Sequence, residues 1–195
     1  MTGGVIGKAW REALQLAVGT VASAADLERL RAELPALAWR ADCPSAVAIA
    51  GNRDATQYRR HLVASGSADE FQALLISWPP GYQTPLHDHD GLWGIELVLD
   101  GALAVNEYRA SHRDGATRLT TERSLLLGIG DAAAFAGIDY VHSCRNLSAD
   151  RRALSLHVYG GALAQYTTFA GDNAEGYRAM RQHARFDSRF DLIGA

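Results

Sequence analysis

Three histidines carry the first chemical signal in this chain. His87 and His89 stand one residue apart in Gly81-Tyr82-Gln83-Thr84-Pro85-Leu86-His87-Asp88-His89, and His142 opens a later run, His142-Ser143-Cys144-Arg145-Asn146. Side chains two apart on a strand point to the same face, so the imidazoles of His87 and His89 can converge on one ion. A third imidazole from a neighbouring strand gives a facial set with open positions, and neutral imidazole suits iron, copper, zinc or nickel. His142 is the expected third ligand. Three uncharged ligands leave a divalent ion its full charge, which favours an anionic ligand such as a thiolate. Asp88 is expected to face away from the ion and to hydrogen-bond a loop or a group behind the ligands. Glu96 shares the parity of Gly94 and is the one acid placed to join the set.

A second constellation lies in Leu154-Ser155-Leu156-His157-Val158-Tyr159. Strict alternation puts Ser155, His157 and Tyr159 on one face of a strand and Leu154, Leu156 and Val158 on the other. A Ser-His-Tyr relay satisfies its own hydrogen bonds and offers the tyrosine hydroxyl to chemistry beside the histidines. The competing reading is the solvent face of an edge strand.

The elements that must position these groups form two regions. Residues 5 to about 34 are rich in Ala, Leu, Glu and Arg, with Leu14, Leu16, Val18, Leu27 and Leu30 at helical spacing, Ser23 as an N-cap and Pro35 as a terminator. From Arg53 to Ser67 a second helix-like or mixed segment holds Tyr58, Arg60 and Leu62. From Phe71 onward the pattern is of short strands, over 71–78, 92–99, 102–108, 117–127 and 153–159, divided by Gly, Pro, Asp and Asn. A closing helix is expected over 171–182. The expected architecture is mainly β: one domain over 1–195, with a helical part over about 5–66, a barrel core over about 70–168 and a short C-terminal extension.

Composition narrows the partners. The 195 residues carry 48% hydrophobic and 21% charged side chains and a net charge of -3, without the basic excess of a nucleic-acid surface. The two cysteines, Cys43 and Cys144, are too few for a disulfide framework, and a reducing cytoplasm fits them. Lys8 to Ala24 has the basic start of a secretory leader, but Glu12 and Gln15 interrupt its apolar run. No stretch reaches the ~20 consecutive apolar residues of a membrane-spanning helix. Neither nucleic acid nor membrane is an expected partner.

The histidine pattern resembles the two motifs of the cupin superfamily, a jelly-roll-like β-barrel. Gly81, His87, His89 and Gly101 fill the first motif, and His142 and Asn146 fill the end of the second. The motif's glutamate is missing, since its two permitted spacings land on Trp93 and Gly94. Adding Tyr58-x-Arg60-x-Leu62, Trp78-Pro79-Pro80-Gly81 and Ser155-x-His157-x-Tyr159, the chain resembles the cysteine dioxygenase family of thiol dioxygenases from about Tyr58 to Tyr159.

That resemblance implies ferrous iron on His87, His89 and His142, a substrate thiolate and dioxygen on the iron, and a sulfinate product carrying both oxygen atoms. It implies Arg60 as the clamp for a substrate carboxylate, assisted by Tyr58, and Tyr159 held by His157 and Ser155 at the reacting atoms. A planar guanidinium suits that clamp because it forms two parallel charge-assisted bonds to a carboxylate. Mammalian members carry a cysteine at the position of Gly94 and link it to the tyrosine, so here the Tyr159 phenol is expected to be unmodified. Cys144 reads as a buried structural thiol. Members that prefer 3-mercaptopropionate usually place an arginine after the Ser-His-Tyr strand, and Gly160 to Phe169 contains none, which favours L-cysteine. Mercaptosuccinate is a further small thiol carboxylate to test, and an inward Glu96 would face a substrate ammonium. Without the resemblance, a cupin isomerase or hydrolase using zinc or manganese, or a non-catalytic small-molecule-binding cupin, would also use the three histidines.

Overall fold

The structure is a computed structural model and describes residues 6–19, 26–50, 56–66, 70–113 and 115–190. Ser23, the expected N-cap, lies outside them. Three helices, α1 (Lys8–Val18), α2 (Leu27–Glu33) and α3 (Ala46–Ala50), with a 3-10 helix over Leu34–Trp39, precede the strands. The strands are β1 (Arg59–Ser65), β2 (Gln72–Trp78), β3 (Leu86–His87), β4 (Gly94–Asp100), β5 (Leu103–Arg113), β6 (Ala116–Leu127), β7 (Ala132–Phe135), β8 (Tyr140–Asn146), β9 (Ala153–Tyr159), β10 (Gln165–Asp172), β11 (Gly176–His183) and β12 (Ser188–Arg189). One sheet has the order β12-β1-β2-β9-β4-β7, and the second closes on itself in the order β10-β11-β6-β5-β8-β3. The chain is mainly β, as its sequence implies.

Helices cover the outer face of the first sheet. Trp10, Leu14 and Val18, four residues apart, form the buried stripe of α1, and Trp10 Nε1 donates to Leu37 O at 3.1 Å. Leu16, expected in that stripe, is 77% exposed because it falls on the opposite side of the helix. Against the stripe pack Leu154, Leu156 and Val158 of β9 and Leu75 of β2. The inner face of the same sheet supplies Leu74, Ile76, Trp78 and Tyr159 to a second cluster with Leu103 and Val105 of the other sheet. With both faces covered, β2 and β9 are buried along their whole length. β9 lies between β2 and β4, so Ser155, His157 and Tyr159 face the interior and not solvent as on an edge.

Three expectations need correction. The segment Arg53 to Ser67 is not helix-like where described: its core is β1, because pairing with β2 and burial of Leu62 and Val63 override any helical preference. The stretch 171–182 is a hairpin, made of the end of β10, a turn over 173–175 and most of β11. Ala179, Met180, Arg181 and Gln182 favour a helix, but eight registered pairs with β10 decide the matter. Pro35 does not stop the helical region and instead occupies the first turn of the 3-10 helix, where its missing N–H costs nothing. No helix among the described residues is long and apolar enough to cross a membrane.

Candidate metal centre

The closed sheet brings the histidines together by register. His87 on β3 lies directly opposite His142 on β8, which lies opposite Glu107 on β5, which lies opposite Arg123 on β6. Side chains directly opposite on one face are within reach of one another. His87 and His142 meet with their Nε2 atoms 3.2 Å apart. His89 stands two residues past the end of β3's partner pairing, in the following loop, so only half of the His-x-His unit is strand. Its ring still lies at 4.8 Å from that of His142 and 5.1 Å from that of His87.

One nitrogen from each of the three rings falls within 4.8 Å of the others. Two nitrogens bound side by side to one ion at about 2.1 Å lie about 3 Å apart, which matches the His87–His142 approach. His89 Nδ1 is buried and has no hydrogen-bond partner among the described residues. Burial holds His87 below the usual histidine pKa and His89 and His142 well below it, and the neighbouring rings lower the last two further. Three neutral imidazoles are the form that binds metal, and these residues fit a divalent ion.

Outer partners fix the rings. His87 Nδ1 lies 2.9 Å from Pro85 O, so its Nδ1 carries the proton and its Nε2 has the free lone pair. His142 Nδ1 lies 3.2 Å from the Tyr140 hydroxyl, which donates to Glu107 Oε1 at 3.3 Å, and the buried Glu107 is paired with Arg123. Tyr140, Glu107 and Arg123 were not legible as site residues, since nothing in their local sequence ties them to His142; only the β5–β8 register does. Asp88 faces away from the imidazoles, and its Oδ1 accepts from Thr167 N at 2.7 Å and Asp90 N at 3.2 Å. Arg181 of β11 adds a bond to Asp90 at 2.6 Å, which ties down the loop that carries His89.

Glu96 does not join the three histidines. It lies on the far side of His142, with Oε1 4.0 Å from His142 Nδ1 and Oε2 3.8 Å from His157 Nδ1. Oε2 accepts from the Cys144 thiol at 3.5 Å, while Oε1 has no hydrogen-bond partner among the described residues. Burial pushes the Glu96 pKa up to about 8. Burial and the adjacent Glu96 hold the Cys144 thiol well above its usual value, so it is protonated and structural.

On the opposite wall, Trp78 Nε1 donates to Ser155 Oγ at 2.8 Å, and Ser155 Oγ lies 2.9 Å from His157 Nε2. The serine proton then goes to Nε2, which leaves the His157 proton on Nδ1, 3.4 Å from the Tyr159 hydroxyl. Burial lowers the His157 pKa to about 3, so the ring is neutral and keeps this tautomer. Tyr159 is thus free to donate its own proton into the site. Gly94 lies directly opposite Tyr159, and a Cβ there would meet Phe135 Cζ at 2.3 Å. Phe135 is itself in stacked contact with both His89 and Tyr140, so a cysteine at position 94 would have to displace a ring that packs against the site.

A cavity of about 180 Å³ opens from the histidines to the surface, lined by Tyr58, Arg60, Tyr82, His87, His89, Tyr159 and Tyr166 among others. Among the described residues, Arg60 is the one lining residue with a permanent charge. Its guanidinium lies 5.9 Å from the Tyr166 ring centroid, while its neighbour Arg59 bonds Gln57. Tyr58 stacks on Tyr82 at 4.8 Å and meets Trp78 edge-on at 5.1 Å. Tyr82 and Tyr166 went unrecognised in the sequence because aromatic residues near turns have no signature of their own.

The sequence model of the family described as cysteine dioxygenase type I matches residues 23–172. The chain belongs to that family. Solved structures with a similar course include KdgF from Halomonas sp., with 20% identity, a TM-score of 0.42, and 54% of this chain and 79% of that one covered. The cupin domain of Cnp3 from Schizosaccharomyces pombe has 10% identity, a TM-score of 0.43 and coverages of 57% and 66%. A sugar phosphate isomerase from a cupin superfamily, SPO2919 of Silicibacter pomeroyi DSS-3, has 23% identity, a TM-score of 0.39 and coverages of 58% and 68%. Membership of the cysteine dioxygenase type I family makes this a cupin-type thiol dioxygenase chain with a candidate metal site at His87, His89 and His142.

Proposed function

We propose that the protein is a ferrous, non-haem thiol dioxygenase that converts a small thiol carboxylate, L-cysteine first, to its sulfinate. The observation that carries this reading is one cavity that has the neutral imidazoles of His87 and His89 at its floor and a guanidinium, Arg60, on its wall, with His142 in the small adjoining pocket that the same two histidines line. In the reaction the thiolate sulfur gives up four electrons, dioxygen takes them, and both oxygen atoms end on sulfur, so no outside reductant is needed. Iron held by His87, His89 and His142 supplies, when bound, the coordination positions and the redox chemistry.

The chain's own residues do the rest. Arg60 grips the substrate carboxylate through two parallel charge-assisted bonds, which fixes where the sulfur lies and converts binding into orientation. Tyr58 narrows the space beside it. Tyr159, whose hydroxyl accepts from His157 Nδ1, donates a hydrogen bond toward the reacting oxygen, and Ser155 and Trp78 hold His157 in the tautomer that makes this possible.

Oxygen consumption by the iron-reconstituted protein with L-cysteine, 3-mercaptopropionate, mercaptosuccinate and cysteamine, with products identified by mass spectrometry, tests the reading. Sulfinate led by L-cysteine is the expected result; iron-loaded protein that takes up no oxygen with any thiol would overturn it. One observation favours a second substrate: no acidic side chain lines the cavity among the described residues, Glu96 being behind His142, so a substrate ammonium would meet no negatively charged partner there. If 3-mercaptopropionate leads, the chemistry stands and cysteine falls. Arg60→Ala should raise KM for carboxylate thiols about 10–100-fold, from the ~1.5–3 kcal/mol of a hydrogen bond to a charged group, and leave cysteamine little changed. Equal effects on both thiols would remove Arg60 as the clamp.

A further inference from the structure

The family match ends at residue 172, and beyond it β12 reaches back to β1, the strand that carries Arg60. β12 pairs in parallel with β1, with His61 opposite Ser188 and Leu62 opposite Arg189. Just before β12, Asp187 closes a ring on the backbone of Arg60: the Arg60 N–H donates to Asp187 Oδ2 at 2.8 Å, and the Asp187 N–H donates to Arg60 O at 2.8 Å. Both backbone polar groups of Arg60 therefore point away from β2, toward an edge that would otherwise face water. The grip continues beyond that point. His61 Nδ1 lies 2.8 Å from Ser188 Oγ, Phe190 N donates to Leu62 O at 2.9 Å, and Arg11 of α1 donates to Phe190 O at 3.1 Å. The terminal strand is thus held between β1 and the first helix.

We infer that this C-terminal segment is a brace for substrate recognition and that Asp187 is its positioning residue, aiming the Arg60 guanidinium by fixing the backbone from which it projects. Asp187 does not line the cavity. It is exposed and touches Arg60 only through the main chain, so its effect on substrate must pass through the direction of the arginine side chain. A side chain carried on an unpaired edge strand can tilt with it, and a tilted guanidinium makes poorer charge-assisted bonds to the carboxylate, which weakens substrate binding. Tyr166 completes the aim from the other side, since its ring lies under the guanidinium. The inference rests on the thiol carboxylate reading for its kinetic arm alone.

The test uses the full chain with Asp187→Ala and Asp187→Asn, because an asparagine Oδ1 still accepts the Arg60 N–H. Asp187→Ala should raise KM for L-cysteine or 3-mercaptopropionate about tenfold with kcat within about twofold, and leave kcat/KM for cysteamine unchanged, while Asp187→Asn restores the wild-type values. Hydrogen exchange at the Arg60 amide should speed up at least tenfold in Asp187→Ala and return in Asp187→Asn. Equal losses with carboxylate and non-carboxylate thiols, or an Arg60 amide whose exchange does not respond, would overturn the brace. The exchange measurement needs no turnover. A wild-type protein inert toward every thiol would therefore sink the dioxygenase reading, and Arg60 exchange would still decide the brace.

Discussion

His142→Ala is expected to leave the purified protein essentially free of iron, with less than a tenth of an equivalent retained after reconstitution and desalting, and without thiol-dependent oxygen uptake. Of the three candidate ligands His142 is the one most firmly built in. It sits on β8 with paired strands on both sides, it is 1% exposed, and its two nitrogens have separate occupations. Nε2 faces His87 Nε2 at 3.2 Å, and Nδ1 faces Tyr140, whose hydroxyl continues to Glu107 and Arg123. Alanine removes the ligand and leaves that chain aimed at nothing. Tyr140→Phe keeps the ligand but removes its outer partner, which should weaken metal binding about 10–100-fold without abolishing it. Titration of both variants with cobalt as a spectroscopic probe separates the two effects, and circular dichroism checks that each has folded. An iron-replete, active His142→Ala protein would take His142 out of the ligand set.

The contrast between His142 and its partners shows what the sequence makes legible. Spacing alone brings His87, His89 and His142 to notice because metal ligation demands particular residue types, and few other constraints place three such residues in that order. The alternation of β9 is legible for a related reason: leucines and valine on one face must meet a hydrophobic layer, and the helices supply it. The outer partners of His142 escape because their closeness is a product of strand register. Glu107 is 35 residues from His142 in sequence and directly opposite it in space. β1 and β11 escape for the opposite reason, since their local sequences are ambiguous and only pairing with β2 and β10 makes them strands. Arg60 was picked out over Arg59 by resemblance; the pleat explains the difference physically, since successive side chains on β1 point to opposite faces and only Arg60 lines the cavity.

Glu96→Gln should remove a loss of folding stability that the wild type suffers as pH rises toward 8. Glu96 is fully enclosed between β9 and the second sheet, where burial raises its pKa from 4.5 to about 8. Below about pH 4.5 the carboxyl is protonated in folded and unfolded chains alike, and its contribution is at its most favourable. As pH rises toward 8 the unfolded chain releases the proton and the folded chain does not, so stability is lost progressively and the loss is complete once the folded carboxyl ionises. At 1.36 kcal/mol per pKa unit this loss amounts to at most about 5 kcal/mol. Glutamine has the same shape and can still accept from Cys144, but it does not titrate. In metal-free protein, the unfolding free energy of the wild type should therefore fall relative to Glu96→Gln between pH 5 and pH 8.5, as measured by urea titration. The buried histidines, whose lowered pKa values destabilise the fold on the acid side, are present in both proteins and largely drop out of the difference. Parallel profiles would show that Glu96 is ionised in the folded protein at ordinary pH. The distinction matters for the chemistry: a neutral carboxyl 4.0 Å from His142 Nδ1 leaves a three-histidine site its full positive charge for a thiolate, whereas a carboxylate there would take part of it away.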